Sequence, residues 1–295
     1  MTSFQISVPA TLSNLGPGYD VLGLALTLRN RFFFQTTDER GDFQSGGKKV
    51  AAKSHLTFRT FIEALQEFGG SYPGGLSLEQ EERIPRSRGL GSSATARTAG
   101  LMAYLKLVNP ELEIEKQVSF LAKAEGHPDN VTPALRGGLT LCGHENGELR
   151  HLVLPAPKLQ VALCIPHKTV ETNAARKILP AQYPQSEVVY STSRIAFLIA
   201  GLLQKDHEVL DFAMKDLIHQ PYRKTLIGPV DEAFDNAKRA GALSAFISGS
   251  GSTLAAFVPE DSDASAVAKS MAEAFGDLAC DTKVVMTSEA GAQFE

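Results

Sequence analysis

The sequence has no tryptophan, only three cysteines, and no large excess of charge of either sign. Cys142, Cys164 and Cys280 are scattered, without a Cys-x-x-Cys pair or a nearby histidine at ligand spacing. This spacing predicts reduced thiols in a cytoplasmic protein and argues against a disulfide framework or a structural zinc site. Because the net charge is only −4, the chain as a whole gives no electrostatic reason to bind nucleic acid.

Long apolar runs are also lacking, so the sequence predicts no membrane span. The first residues lack the basic start and long apolar segment of a signal peptide. No internal repeat or low-complexity tract is visible. With 295 residues, 43% hydrophobic and 21% charged, the composition is typical of a soluble globular protein with one large domain or two modest ones.

Strand and helix patterns alternate without the regular βα repeat of a barrel, which favours an α+β fold. The Pro-Ala-Pro segment ending at residue 157 looks like a linker, so we expect domains at 1–157 and 158–295. A strand is expected at 4–8 and a second at 30–37, with a turn-rich connection over 9–20. Helices are expected at 56–68, 94–108, 113–124, 172–179, 188–204, 207–218, 229–240 and 263–275.

The stretch 84–95 places a glycine-rich turn before an alanine-rich helix. Gly89 and Gly91 permit positive φ or close approach of another backbone, and Ser92 or Ser93 is a candidate N-cap. Free N–H groups at such a helix start suit a phosphate, although an ordinary capped helix fits the same residues. The arginines before the turn argue against a Rossmann strand, and the missing lysine argues against a Walker loop.

Residues 125–139 contain two prolines and three glycines, which predict an interruption between elements. His127, Asp129 and Asn130 would then lie near element ends, with side chains free to face a cleft. A purely structural histidine is the alternative.

Three segments, 8–20, 89–94 and 248–253, resemble the three motifs of the GHMP small-molecule kinases, in the same order and spacing. Three others, 125–131, 172–180 and 219–223, are similar to the homoserine kinases within that superfamily. The resemblance extends from about residue 5 to residue 292. It implies a two-domain GHMP kinase architecture, with an N-terminal α+β nucleotide-binding domain and a C-terminal ferredoxin-like domain.

The resemblance also implies transfer of the ATP γ-phosphoryl group to the side-chain hydroxyl of L-homoserine, for threonine synthesis, with Mg²⁺ as cofactor. Ser93 and Glu125 are the implied metal ligands, and they count with Asn130 as catalytic residues. Since Asn130 stands where some relatives place a catalytic Asp, we expect no dedicated protein base. The implied nucleotide-binding residues are His55, Pro85, Arg86, Ser87, Arg88, Gly89, Leu90, Gly91, Ser92, Ser93 and Ala94. The implied substrate-binding residues are Asn14, Asp20, His127, Asn130, Thr172, Arg176 and Arg223.

Two arginines are expected to bind the substrate carboxylate, Arg176 and Arg223, because a planar guanidinium suits a bidentate contact. Asp20 would face the ammonium group. His55 stands where the family commonly has an asparagine near the adenine. The expected partners are L-homoserine and ATP, with no nucleic acid or membrane, and a homodimer stays open. The alternatives are a GHMP kinase acting on another small alcohol, and a non-catalytic regulator that binds a nucleotide or amino acid.

Overall fold

The computed structural model describes residues 2–72 and 74–295. Its strands are β1 (Ser3–Asn14), β2 (Gly18–Thr37), β3 (Phe43–Ser45), β4 (Lys48–Lys49), β5 (Gly75–Glu81), β6 (Leu139–Glu145), β7 (Glu148–Leu154), β8 (Gln160–Pro166), β9 (Ser244–Ile247), β10 (Leu254–Val258), β11 (Cys280–Met286) and β12 (Gln293–Phe294). Its α-helices are α1 (Leu56–Phe68), α2 (Ser92–Leu107), α3 (Ile114–Glu125), α4 (Pro128–Arg136), α5 (Thr172–Lys177), α6 (Gln185–Gln204), α7 (Leu210–Ala213), α8 (Gln220–Ile227), α9 (Val230–Arg239) and α10 (Ala264–Glu273).

Two sheets divide the chain. The first has eight strands in the order β12-β1-β2-β5-β3-β4, with β6 and β7 joined to it through β2. The second has four antiparallel strands in the order β11-β8-β10-β9. The proposed domain boundary at 157/158 falls between β7 and β8, but the chain end returns as β12 to pair with β1. The fold is the two-domain mixed α/β fold that the sequence predicts.

Three apolar clusters hold these layers together. One fills the space between the first sheet and α1–α4, and another packs α9 and α10 on the second sheet. The third joins the two sheets: Leu12 and Leu24 of the first share a cluster with Phe246 and Phe257 of the second. Full burial of each such apolar side chain contributes about 1.5–3 kcal/mol to the free energy of unfolding. This shared core fixes the two sheets around the cleft that contains the site.

The expected turn-rich connection over 9–20 is wrong for its first half. β1 continues through Asn14, and only residues 15–17 form the turn. A register shift between Pro9 and Thr11 accommodates the proline, and Ala10 and Leu12 are fully buried. The strand expected at 30–37 is the second part of one 20-residue strand, β2, which pairs first with β6 and then with β5.

The expected interruption over 125–139 contains a helix, α4, so that prediction was incomplete. Pro128 stands in its first turn, where a proline is tolerated. Pro133 lies inside the helix and cannot donate to the carbonyl of Asp129. Gly23 of β2 packs against this carbonyl, because a Cβ on Gly23 would lie only 2.0 Å from its oxygen.

The expected helix over 207–218 is also wrong in extent. A 3₁₀ turn over His207–Val209 and the four-residue α7 occupy its start. The chain then begins α8, which the sequence did not predict. The Asp216 carboxylate accepts hydrogen bonds from the N–H groups of Ile218, His219 and Gln220 at 2.7–2.8 Å. Because the carboxylate binds N–H groups that have no acceptor within a helix, it stabilises the start of α8 and not a continuation of α7.

One helix departs from the expectation that no apolar run reaches the length of a membrane span. By length and composition α6 could cross a membrane. Of its most apolar 18-residue stretch, 22% is buried inside the protein. Its buried positions Leu198 and Leu202 pack in the core that joins the two sheets. Length and composition alone are weak evidence for a span, since helices of soluble proteins pass the same test.

Candidate active site

The glycine-rich turn has an alternating left-handed backbone. Ser87, Gly89 and Gly91 have φ values of 54°, 75° and 70°. Successive N–H groups in such a conformation form a concave anion-binding surface. Gly89 is also required for packing, because a Cβ there would lie 2.1 Å from the carbonyl oxygen of Ser248.

The helix that follows has no side-chain cap, so the expected capping by Ser92 or Ser93 is wrong. The N-cap is Gly91, and α2 begins at Ser92. The Ser93 hydroxyl instead donates to Glu125 Oε2 at 3.0 Å. The first-turn N–H groups have no intrahelical acceptor, so this helix start is available to an anion.

Backbone hydrogen bonds connect the segments 8–20, 88–94 and 248–253. The N–H of Thr11 donates to the carbonyl of Leu90 at 3.2 Å, and that of Gly249 to Ser13 at 3.0 Å. Thr253 donates to the carbonyl of Arg88 at 3.2 Å. The glycine-rich turn is therefore supported from both domains.

The Asn130 side chain is fixed at both ends. Its Oδ1 accepts from the Thr11 hydroxyl at 2.7 Å, and its Nδ2 donates to Ser13 Oγ at 2.9 Å. These bonds orient the amide toward the first motif. An amide in this setting accepts and donates hydrogen bonds but does not take a proton.

Ser93 and Glu125 present two oxygen ligands side by side. Glu125 Oε2 accepts from Ser93 and also from Arg97 Nε at 2.6 Å, and the carboxylate is about 10% exposed. A hydroxyl and a carboxylate suit Mg²⁺, which takes one or two protein oxygens with phosphate and water. Within residues 2–72 and 74–295, no cluster of three or more His, Cys, Asp or Glu side chains could form an all-protein metal cage.

His127 and Asp129 form a pair at the start of α4. His127 Nδ1 lies 2.7 Å from Asp129 Oδ1. Burial opposes the charged imidazolium, but the hydrogen bond to Asp129 and the charges of Asp129 and Glu125 outweigh it, so the pKa of His127 is raised. The pair thus favours a protonated histidine on the cavity wall.

Arg176 and Asp20, expected to bind the substrate carboxylate and ammonium group respectively, are bound to each other. Arg176 Nη1 and Nη2 donate to the two Asp20 oxygens at 2.8 and 2.6 Å, and Nη1 also donates to the Tyr19 hydroxyl at 2.9 Å. Asp20 has φ 56° and its N–H donates to Asn14 Oδ1 at 2.9 Å. Asn14 therefore holds the turn that presents the carboxylate.

Arg223 lies beside this pair without a carboxylate partner of its own. It is 2% exposed, and no carboxylate within the described residues comes within ion-pair distance. Its donors reach the carbonyls of Gly249 at 2.8 Å and Ala175 at 3.4 Å, and its guanidinium lies 4.9 Å from the Tyr19 ring centre. Burial lowers the pKa of Arg223, yet an arginine keeps its charge in proteins.

The other end of the cavity contains His55. Its Nε2 lies 3.2 Å from Gln80 Nε2, and its ring packs on Phe58 with the ring centres 4.8 Å apart. Its Nδ1 is buried and has no hydrogen-bond partner in the part of the chain that the structure describes. Burial and the charge of Arg86 lower the pKa of His55. The lowered pKa favours a neutral imidazole at this position.

These groups line one cavity of about 820 Å³ between the two domains. Most of the predicted site residues are on its wall: Asn14, Asp20, His55, Arg86, Ser87, Arg88, Gly89, Gly91, Ser92, Ser93, Glu125, His127, Asn130, Thr172, Arg176 and Arg223. Three predicted residues do not line it. They are Pro85, Leu90 and Ala94, and the last two are buried side chains.

Sequence reasoning missed several residues that support the site. Thr11 and Ser13 were assigned to a connection, although their alternation with Ala10 and Leu12 is a strand signal. Tyr19 was unassigned, and it touches both Arg176 and Arg223. No local signal pairs Gln80 with His55, because 25 residues separate them.

Comparisons with known proteins agree with this geometry. The GHMP kinases N terminal domain matches residues 55–138, and the GHMP kinases C terminal domain matches 198–277. A homoserine kinase from Carboxydothermus hydrogenoformans is 35% identical over 285 residues, which cover 96% of this chain and 93% of the relative. A homoserine kinase from Synechocystis is 38% identical over 268 residues, which cover 88% of this chain and 87% of the relative.

Solved structures show the same fold. A homoserine kinase from Cytophaga hutchinsonii superposes with a TM-score of 0.89 at 29% identity, covering 100% of this chain and 98% of that one. The mevalonate kinase of Methanococcus jannaschii superposes with a TM-score of 0.70 at 16% identity, over 97% and 98% of the chains. The second likeness concerns the fold alone.

Proposed function

Because the chain belongs to the GHMP kinases and, within them, to the homoserine kinase family, we propose that it transfers the γ-phosphoryl group of ATP to the side-chain hydroxyl of L-homoserine. The product is O-phospho-L-homoserine, an intermediate of threonine biosynthesis. The observation that supports this substrate most directly is Arg223, a buried cation that has no carboxylate partner among the described residues and lies on the wall of the cavity that also contains the glycine-rich turn.

A buried charge is unfavourable unless a counter-ion compensates it. An amino-acid carboxylate entering the cavity would compensate Arg223, and the charge-assisted hydrogen bonds would contribute roughly 1.5–3 kcal/mol each. A neutral alcohol offers no such counter-charge. The Arg223 environment therefore favours an alcohol that carries a carboxylate.

The Arg176–Asp20 pair suits the other charges of a zwitterion. Each carboxylate oxygen of Asp20 accepts one hydrogen bond from Arg176, and a carboxylate has further acceptor positions. An ammonium group can therefore approach Asp20 while the substrate carboxylate lies toward the guanidinium groups. Charges then alternate in sign around the substrate, which fixes its orientation.

Transfer itself needs positioning and charge stabilisation more than covalent chemistry. The left-handed turn and the uncapped start of α2 would bind the ATP phosphates. Ser93 and Glu125 would hold Mg²⁺, which neutralises phosphate charge when it is bound. Because Asn130 is an amide fixed by Thr11 and Ser13, we infer transfer without a dedicated protein base, the hydroxyl proton leaving to phosphate or water.

His55 would contact the nucleobase at the far end of the cavity. The His55 ring and the Gln80 amide both line the cavity there and lie next to each other. A cytoplasmic location and a homodimer stay predictions.

The test is a panel of alcohols with ATP and Mg²⁺, read by ADP release and by identification of the phosphorylated product. L-homoserine should have the highest kcat/KM, ahead of L-threonine, mevalonate and 3-aminopropan-1-ol. A higher kcat/KM for another alcohol would assign a different substrate to this kinase. ATP binding without phosphorylation of any alcohol would favour the non-catalytic regulator.

A further inference from the structure

His219 is a fully buried histidine between the first motif and the substrate arginines. It is the N-cap of α8, and Arg223 follows one helical turn later on the same helix. Residues four positions apart lie on one face of a helix. The His219 ring also lies 5.5 Å from the Tyr19 ring, so it forms part of the layer that supports the cavity wall.

The surroundings of His219 determine its tautomer. Its Nε2 lies 2.7 Å from the carbonyl oxygen of Gly16 and 3.5 Å from an Asp216 oxygen. Both neighbours are acceptors, so Nε2 must carry the hydrogen. Burial lowers the pKa of His219, which keeps the ring neutral and leaves Nδ1 with a free lone pair.

That lone pair faces Arg223. Arg223 Nη1 lies 3.3 Å from His219 Nδ1 and donates to the Gly249 carbonyl at 2.8 Å. The two acceptors hold one edge of the guanidinium. Without them, a side chain with four rotatable bonds would sample other orientations in the cleft.

The opposite edge of His219 reaches the turn between β1 and β2. Gly16 has φ 59°, and a Cβ there would lie 2.5 Å from the carbonyl oxygen of Met214. This close approach brings the Gly16 carbonyl to His219. The histidine therefore bridges the turn of the first motif and an arginine of the second domain.

We propose that His219 is a positioning residue that orients Arg223 for the substrate carboxylate, through a neutral ring with hydrogen on Nε2 and an accepting Nδ1. This inference rests on the proposed function, because it assumes that Arg223 binds the carboxylate. It assigns no proton transfer to His219, which lies behind Arg223.

Two amide substitutions test the two ring nitrogens of His219 one at a time. In His219→Asn the amide oxygen takes the place of Nδ1 and can still accept from Arg223. In His219→Gln the amide nitrogen takes the place of Nε2 and can donate to Gly16, but the acceptor for Arg223 is lost. A purely structural role would make both variants alike in activity, since both remove the ring.

We expect His219→Gln to raise the KM for L-homoserine about 10-fold, with kcat and the KM for ATP within about twofold of wild type. His219→Asn should stay within about threefold for all three constants. In an Arg223→Ala background, His219→Gln should have no further effect on the KM for homoserine. Equal effects of Asn and Gln, or additive effects in the double variant, would overturn the proposal.

Two results keep this inference distinct from the proposed function. If Arg223→Ala itself leaves the KM for homoserine unchanged, the carboxylate assignment fails and this inference falls with it. If Arg223→Ala raises that KM and His219→Gln does not, only the role of His219 is wrong. Should the variants fail to fold, ¹⁵N NMR of the wild-type histidine ring decides: hydrogen on Nε2 supports the proposal, and hydrogen on Nδ1 overturns it.

Discussion

Arg176 binds Asp20 through both of its terminal nitrogens, at 2.8 and 2.6 Å. The sequence assigns the first to the substrate carboxylate and the second to its ammonium group, with no contact between them. Their pairing places a positive and a negative charge next to each other on the cavity wall, with Arg223 beside them. Both members are about one-third exposed, so water weakens their attraction, and a zwitterionic ligand can compete for both.

Asp20→Asn tests the role of this carboxylate. Asn tolerates the left-handed φ of 56° as well as Asp does, so the backbone should keep its shape while the negative charge is lost. We expect the KM for L-homoserine to rise at least about 10-fold, with little change in the KM for ATP. Tyr19→Phe, which removes only the neighbouring hydroxyl, is the control and should have a smaller effect. An unchanged KM for homoserine in Asp20→Asn would remove Asp20 from the substrate site.

Gly91→Ala tests the helix start. Its new Cβ would lie 2.1 Å from Thr11 Oγ1, which donates to Asn130, and φ is 70°. We expect ATP affinity to fall at least about 10-fold and the free energy of unfolding to fall by about 1–3 kcal/mol. Isothermal titration and denaturant unfolding measure the two effects.

Gly241→Ala is the matched control, since Gly241 also has positive φ but nothing lies within 4 Å of its Cβ position. It should lose some stability and keep its ATP affinity. Equal ATP affinities for both variants would place the phosphates elsewhere.

The metal site can be tested through its dependence on Mg²⁺. Glu125→Gln and Ser93→Ala should each raise the Mg²⁺ concentration for half-maximal activity at least about 10-fold, because the first replaces a charged carboxylate ligand with a neutral amide and the second removes a hydroxyl ligand. Binding of Mn²⁺ with ATP, followed by electron paramagnetic resonance, gives a readout independent of turnover. Ser92→Ala is the control. If Ser92→Ala shifts the dependence and Ser93→Ala does not, the ligand has been assigned to the wrong serine.

We expect His127 to make a pH-dependent contribution to the free energy of unfolding. Its pKa is raised in the folded protein because, despite burial, the hydrogen bond to Asp129 favours the imidazolium. The contribution is therefore fully present below the unfolded-state pKa of about 6.5 and is lost as pH rises through the folded-state pKa. The loss of unfolding free energy in His127→Gln should be larger at pH 5.5 than at pH 8.5.

Denaturant unfolding at the two pH values measures this difference. Asp129→Asn removes the acceptor and should abolish most of the pH dependence of the His127→Gln effect. A loss that is larger at pH 8.5 would show that His127 is neutral in the folded protein.

The local elements were predictable where one pattern dominates. The helical spacing of apolar residues gave α1 within its observed bounds, Leu56–Phe68. The glycine-rich turn was recognisable because its backbone conformation depends on missing side chains. The start of α8 was not, since it depends on the Asp216 carboxylate three residues before His219, and propensity does not encode such a contact.

Much of the site follows from long-range pairings that local sequence does not determine. Thr11 and Asn130 are 119 residues apart, and Arg176 and Asp20 are 156 apart. The residue types were identified through family resemblance, whereas their partners follow from how the two sheets share one core. The ion pair of Arg176 with Asp20 is therefore a property of the fold.

The central claim is that Arg223 makes this kinase select an amino acid over an amino alcohol. The decisive measurement is kcat/KM for L-homoserine and for 3-aminopropan-1-ol, which lacks only the carboxylate, in wild type and Arg223→Ala. We predict that the variant loses roughly 10–150-fold on homoserine, little on 3-aminopropan-1-ol, and keeps its KM for ATP. Equal losses on both substrates, or no loss on either, would contradict the account.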